Sequence, residues 1–94
     1  MSKVIREKMP VTELLAGLAE ECGELTQASL KLRRVFEGSK NPTPVTLDYA
    51  MDHLYEEIAD VHLYLMQLDL PWNHIKDIAD RKEQRWEDRL NGKQ

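Results

Sequence analysis

The stretch LAEECGELTQASLKLRR, residues 18–34, decides the fold, because it combines a helical apolar period with three glutamates in five positions. In and around this stretch, side chains suited to one helix face recur every three or four residues: Leu14, Leu18, Cys22, Leu25, Ser29, Leu32 and Phe36. Thr12 suits the N-cap, and Gly38 with the breaker segment SKNPTP follows the last apolar residue. The pattern predicts a helix over residues 12–37.

Two further helices are predicted downstream. Residues 45–68 carry the stripe Leu47, Met51, Leu54, Ile58, Val61, Leu65 and Leu68. After the connector Asp69-Leu70-Pro71, Asn73 suits an N-cap, and a helix over residues 73–90 has the apolar positions Ile75, Ile78, Ala79, Trp86 and Leu90. Residues 1–11 form an N-terminal arm, because Pro10 disfavours helix just before it.

These elements predict a single all-α domain over residues 1–94, a helical bundle of about three main helices. Three amphipathic helices of this size bury only a thin core when they pack alone. We therefore expect homo-oligomerisation, as a dimer or a tetramer, to complete the bundle.

Composition excludes several classes of protein. With 94 residues, 41% of them hydrophobic, the chain should be globular. A formal net charge of −4 argues against nucleic-acid binding through a basic face. The single cysteine, Cys22, allows no internal disulfide and suits a reducing compartment. Since no apolar run approaches the roughly 20 residues of a membrane span, and the start lacks a signal-peptide core, we expect a cytoplasmic protein without a membrane partner.

The acidic residues point to a metal ion. Glu20, Glu21 and Glu24 share an arc of roughly 100° that flanks the first apolar stripe, with Glu21 nearest its edge. On the next helix, Glu57 and Asp60 are three residues apart and share a side. Packing the two stripes together would gather carboxylates at one seam, which is unfavourable without a cation. Oxygen ligands at this density suit Mg²⁺, with Mn²⁺ as the alternative.

A simpler interpretation competes with the metal site. Glutamate is a good helix former, and a run of charges on a helix is usually a solvated face. The position of the first cluster beside the apolar stripe favours the metal site, and so does the second carboxylate pair one helix later.

Together, E-E-x-x-E at residues 20–24 and E-x-x-D at residues 57–60 resemble the MazG-like all-α nucleoside triphosphate pyrophosphohydrolases. The strings LAEECGELTQASLKLRR and LYEEIADVHLYL are similar to that family, and NPTPVT (residues 41–46) is similar to its small phage or mobile-element members. The resemblance covers roughly residues 10–70. One departure is the 32 residues between Glu24 and Glu57, a longer spacing than is usual in the family.

The resemblance implies a reaction and a set of site residues. Members bind Mg²⁺ and cleave a nucleoside triphosphate between the α- and β-phosphates, giving a monophosphate and pyrophosphate. Carried over by position, the catalytic set is Glu20, Glu21, Glu24, Glu57 and Asp60. Within it, Glu21, Glu24, Glu57 and Asp60 bind the metal, and Glu20 orients or deprotonates the attacking water.

Phosphate and base contacts are also implied. In DRKEQRWEDR, Lys82 and Arg85 match the Lys and Arg that family members place against the phosphates on a later helix. The alternative is that they are ordinary surface charges paired with neighbouring acidic residues. Lys31 and Arg34 are further phosphate candidates, and Tyr64 is the preferred base contact because it shares a flank with the second carboxylate pair.

Other reactive side chains are assigned structural roles. The histidines His53, His62 and His74 lack the Glu-x-x-His spacing of di-iron bundles and the H-E-x-x-H pattern of zinc hydrolases. Cys22 lies on the predicted stripe and should pack as a small hydrophobe. Two functions remain beside the general pyrophosphohydrolase: a narrow enzyme for dUTP or dCTP, and a noncatalytic helical interaction module.

Overall fold

The structure, a computed structural model, describes residues 2–38 and 45–92. In these ranges it contains four helices and no strand: α1 (Lys3–Lys8), α2 (Val11–Phe36), α3 (Leu47–Gln67) and α4 (Trp72–Leu90). The all-α prediction is confirmed for the described residues. The predicted breaker SKNPTP falls on residues 39–44, outside them.

Helix starts differ from the prediction at two prolines. α2 begins at Val11, with Pro10 rather than Thr12 at the N-cap, because the Pro10 carbonyl accepts hydrogen bonds from the first-turn amides. α4 begins at Trp72 with Pro71 at the N-cap, so the Asn73 cap is also wrong. Proline suits both starts, since its fixed φ is compatible with helix entry and its missing N–H is not needed there.

The N-terminal arm contains a short helix of its own. Ser2 caps α1 by accepting a hydrogen bond from the Ile5 N–H at 3.1 Å. The backbone N–H of Ser2 donates to Gln67 Oε1 at 3.3 Å, and Arg6 lies 3.6 Å from Asp69. The arm therefore docks against the C-terminal end of α3.

An antiparallel hairpin of α2 and α3 forms the body of the fold. The Tyr64 ring, near the end of α3, lies against Gly17 near the start of α2. At the opposite end, Lys31 approaches the Tyr49 ring. Ala28 and Ala50 are completely buried between the two helices. Small residues let the backbones approach closely, so they determine where the two helices meet.

This contact is rotated from the predicted stripes. Cys22, Ser29 and Phe36 are exposed, so the prediction that Cys22 packs as a small hydrophobe is wrong. On α3, Ile58 is 47% exposed. Leu14 and Leu68 of the predicted stripes are buried, but the completely buried Ala28 and Ala50 lie beside the stripes, where small side chains let the helices approach closely.

α4 leaves the hairpin instead of packing along it. Among the described elements, only α2 and α3 pack extensively against each other. Trp86 and Leu90, at the far end of α4, are 64% and 76% exposed. The Cα radius of gyration is 17.4 Å, whereas a compact chain of this length has about 12 Å.

None of the described helices is both long and apolar enough to cross a bilayer.

Two glycines of α2 make a matched pair for testing the seam. A Cβ at position 17 would overlap the Tyr64 ring, whereas a Cβ at position 23 would meet nothing within 4 Å. We expect Gly23→Ala to raise the free energy of unfolding by about 0.5–1 kcal/mol through helix propensity. Gly17→Ala should be less stable than Gly23→Ala by about 1–2 kcal/mol, because the tyrosine ring must move. Urea unfolding measures both, and equal gains would contradict the close contact.

Candidate metal centre

Small residues on both helices bracket the centre of the α2–α3 seam. Gly17 lies one turn before Glu21 on α2, and Ala28 lies two turns after it. On α3, Ala50 lies two turns before Glu57. Close approach at the glycine and alanines therefore brings acidic residues of the two helices face to face.

Three carboxylates meet at this point. One oxygen each of Glu21, Glu57 and Asp60 can be chosen so that all three lie within 4.8 Å of one another. Glu21 and Glu57 are half-buried, and Asp60 is exposed. The predicted residues Glu20 and Glu24 are exposed on α2 and fall outside this group of three. α2 contributes Glu21 to the site and α3 contributes Glu57 and Asp60, and the site is accessible to solvent at Asp60.

Glu57 is the most enclosed of the three, its side chain being only 12% exposed. Its Oε1 lies 3.4 Å from Nε2 of His53, whose side chain is 25% exposed. The other oxygen, Oε2, is buried and has no hydrogen-bond partner among the described residues, and the same holds for His53 Nδ1. A buried acceptor without a partner costs about 1–3 kcal/mol. An oxygen of this kind is a ready ligand for a cation.

His53 is a site residue whose role the sequence analysis missed. It was excluded as a metal ligand because it lacks the known ligand motifs, and its contact with the carboxylate was not predicted. The i,i+4 spacing of the two residues was the available signal. The His53 ring also lies near Tyr49, with ring centroids 6.2 Å apart. His53 thus lies between the Tyr49 ring and the Glu57 carboxylate.

Both burial and neighbouring negative charge disfavour the charged form of the Glu21 carboxyl. Partial burial is the largest cause that raises the pKa of its carboxyl above the ordinary value of 4.5. The other causes that raise this pKa are the negative charges of Asp60, Glu57, Glu20 and Glu24, in decreasing order. No lysine or arginine in residues 2–38 and 45–92 forms an ion pair with any of the three clustered carboxylates. The cluster thus carries negative charge that the described chain leaves uncompensated.

The donor set fits a hard divalent cation. All three groups offer carboxylate oxygens, which Mg²⁺ and Mn²⁺ prefer over nitrogen or sulfur. Three protein ligands leave coordination positions for water and for substrate oxygens, as is usual for Mg²⁺ in phosphate chemistry. The orphaned Oε2 of Glu57 and the repulsion at Glu21 would both be relieved by such an ion.

Tyr64 lies near the cluster and borders an apolar groove. It follows Asp60 by one helical turn. The groove has a volume of about 210 Å³ and is lined by Ile5, Met9, Leu14, Leu63, Tyr64 and Gln67. Residues of α1 form part of it, so this groove could not be predicted while the arm was taken as lacking a helix. It offers a mainly apolar surface one turn away from the acidic site.

The predicted basic residues lie away from the cluster. Lys31 is ten residues beyond Glu21, about 15 Å along the α2 axis, and its Nζ lies 6.0 Å from the centroid of the Tyr49 ring. Lys82 and Arg85 are exposed on α4, which does not pack along the hairpin. The chain's own α4 therefore does not bring these two cations to the acidic residues.

Comparison with known proteins adds no family assignment. No family model matches the chain, and no curated protein and no solved structure matches it either. The chemical interpretation therefore rests on the geometry of the acidic cluster and on the two sequence motifs.

The raised pKa of Glu21 predicts how stability depends on pH. Because the folded state holds this proton more tightly than the unfolded state, stability falls as the pH rises from about 4.5 through the folded-state pKa. With a chelator present, the melting temperature of Glu21→Gln should therefore be higher than that of the wild type at about pH 7.5. The two melting temperatures should be equal at about pH 4. Glu56→Gln, at an exposed α3 position, is the control and should change little at either pH. A Glu21→Gln variant that is destabilised at pH 7.5 would contradict the repulsion.

Proposed function

We propose that this protein is a Mg²⁺-dependent nucleoside triphosphate pyrophosphohydrolase of the MazG-like type, acting in the cytoplasm as a homo-oligomer. One observation carries the proposal: the carboxylates of Glu21, Glu57 and Asp60 converge within 4.8 Å across two helices. These are residues of both motifs, E-E-x-x-E and E-x-x-D, on which the family resemblance rests. Motifs separated by more than thirty residues in the chain thus contribute to one site.

Glu21, Glu57 and Asp60 would hold the ion, and Mn²⁺ is the natural substitute. A bound divalent ion supplies charge neutralisation for the triphosphate and lowers the pKa of a coordinated water. Glu24, one turn after Glu21, is the fourth proposed metal ligand, and its exposure leaves its side chain free to turn toward the site. His53 keeps Glu57 oriented through the 3.4 Å contact to Oε1.

Glu20 is the proposed general base. It is exposed on α2 beside the cluster, so it can accept a proton from a water at the open side of the site. As that proton leaves, the water oxygen forms a bond to the α-phosphorus. The bond between the α-phosphorus and the bridging oxygen breaks, and pyrophosphate departs with the electron pair. The products are a nucleoside monophosphate and pyrophosphate.

The groove beside Tyr64 supports a position for the substrate base. Its lining is mainly apolar, and the tyrosine ring offers a face for stacking. At about 210 Å³ it is smaller than the usual pocket for a drug-sized ligand. A small pocket suits a single-ring base, which is consistent with the narrower function of hydrolysing dUTP or dCTP.

Activity should depend on Mg²⁺ and on the clustered carboxylates. We expect pyrophosphate and monophosphate from at least one member of a panel of NTPs and dNTPs, and no product in chelator. Asp60→Asn and Glu57→Gln should each lower kcat/KM by at least about 100-fold, because each removes charge stabilisation worth several kcal/mol. Glu24→Gln should abolish activity if Glu24 is the fourth ligand. Asp52→Asn and Glu56→Gln, at exposed positions of α3, are the matched controls.

Metal binding can be measured without any substrate. Mg²⁺ should raise the melting temperature of the wild type, because an ion that binds only the folded state stabilises it by mass action. The rise should be absent in Glu21→Gln and present in Glu56→Gln. Equal rises in both variants would remove the metal site. A folded protein that neither binds Mg²⁺ nor turns over any triphosphate would instead be a noncatalytic interaction module.

A further inference from the structure

A buried amide interrupts the lining of the apolar groove at the end of the hairpin. Gln67, the last residue of α3, is only 5% exposed and lines the groove beside apolar residues of α1, α2 and α3. Among residues 2–38 and 45–92, it is the only polar or charged residue that is buried to this degree. Buried amides are normally hydrogen-bonded, because their polar groups lose contact with water. Both polar groups of this side chain therefore need a partner.

The first polar group of Gln67 is engaged by α1. The backbone N–H of Ser2 donates to Oε1 of Gln67 at 3.3 Å. Because an NH₂ group cannot accept this hydrogen bond, the contact determines which way round the amide lies. The second group, Nε2, donates no hydrogen bond to any residue in the described ranges. The group that remains for a ligand in the groove is thus a donor.

Gln67 ends a polar stripe that starts at the acidic cluster. Four residues of α3 are spaced by three, four and three positions and so lie along one face of the helix: Glu57, Asp60, Tyr64 and Gln67. The contacts of the first three with Glu21 and Gly17 show that this face is directed toward α2. The stripe therefore runs from the carboxylates, past the tyrosine ring, to the amide.

The length of this stripe suits a nucleotide. Gln67 lies seven residues beyond Asp60, about 10 Å along the helix axis. This length is comparable with that of a nucleotide, from its α-phosphorus to the far edge of a pyrimidine ring. A nucleotide whose phosphates lie at the carboxylates and whose ring lies against Tyr64 therefore presents the edge of its ring to Gln67.

Pyrimidine bases differ in the group that they carry at this edge. Uracil and thymine have a carbonyl oxygen at C4, which accepts a hydrogen bond, whereas cytosine has an amino group there, which donates one. Two donors that face each other form no hydrogen bond, and each is then buried without a partner. A groove in which the available amide group is a donor therefore favours the carbonyl over the amino group.

We propose that Gln67 determines base specificity, selecting a 4-keto pyrimidine over cytosine by donating a hydrogen bond from Nε2 to the carbonyl oxygen at C4. The reaction that it makes specific rests on the proposed function, but the preference in binding does not. α1 takes part in this selection, because the Ser2 N–H orients the amide.

Kinetic specificity separates this role from a purely structural one. We expect kcat/KM of the wild type to be roughly 10- to 100-fold higher for dUTP than for dCTP, because cytosine leaves a buried donor unpaired. Gln67→Glu keeps an oxygen for the Ser2 N–H and replaces the donor by an acceptor, so it should reverse the preference. Gln67→Met has a similar volume and no amide, and its two kcat/KM values should agree within about threefold. An unchanged ratio in either folded variant would overturn the proposal.

Arg6→Ala is the matched control for the docking of α1. Arg6 lies 3.6 Å from Asp69 and does not line the groove. Its removal should loosen α1 and lower kcat/KM for both nucleotides by a similar factor, so that their ratio stays the same. A ratio that changed as much in Arg6→Ala as in Gln67→Met would assign the specificity to the position of α1, and would overturn the role of the amide.

Nucleoside binding tests the inference without turnover. Deoxyuridine and deoxycytidine carry no phosphate, so they can be compared in chelator by NMR. Deoxyuridine should shift the side-chain NH₂ signals of Gln67, which are identified by their absence in Gln67→Met, and deoxycytidine should shift them several-fold less. Equal shifts, or no shift with either nucleoside, would overturn the inference. If the wild type hydrolyses no triphosphate but deoxyuridine still shifts these signals selectively, the proposed function fails and the base preference stands.

Discussion

The close approach of α2 and α3 is the constraint on which the rest of the structure depends. It is made by small residues, with Ala28 and Ala50 completely buried and Gly17 beneath the Tyr64 ring. Large side chains at these positions would hold the axes apart and separate the acidic groups of the two helices. Because the axes are close, carboxylates from both helices share one small volume. The packing that stabilises the hairpin is thus also what concentrates negative charge in it.

That concentration is unfavourable for the chain alone. Glu57 has a buried oxygen without a hydrogen-bond partner among the described residues, and Glu21 has a raised pKa because of burial and neighbouring negative charge. Glutamates at solvent-exposed helix positions would avoid both the unpartnered oxygen and the raised pKa. They would support helix formation equally well, because an exposed glutamate needs no partner. A bound ligand of opposite charge would offset both effects. This reasoning is what connects the acidic seam to the proposed divalent ion.

Several apolar side chains of the described helices remain exposed. Some of the larger apolar side chains of the two stripes, such as Leu14 and Leu68, are buried, whereas others remain exposed. Ile58 is 47% exposed, and Cys22 is exposed as well. α4 is directed outward by the turn at Pro71, and its Trp86 and Leu90 are exposed.

The sequence by itself determined the helices, because apolar period, prolines and glycines act over a few residues. The existence of all three long helices and the separation of acidic flanks from apolar stripes could be predicted in this way. Glu21 was also correctly placed nearest the core edge. The rotation of each helix could not be predicted, since apolar period alone does not show that Gly17, Ala28 and Ala50 permit a closer contact than the leucines do. Only the tertiary structure decided which carboxylates meet, that His53 contacts Glu57, that α1 lines a groove, and that α4 leaves the hairpin. Each of these depends on distances between residues far apart in the chain, which local propensity does not encode.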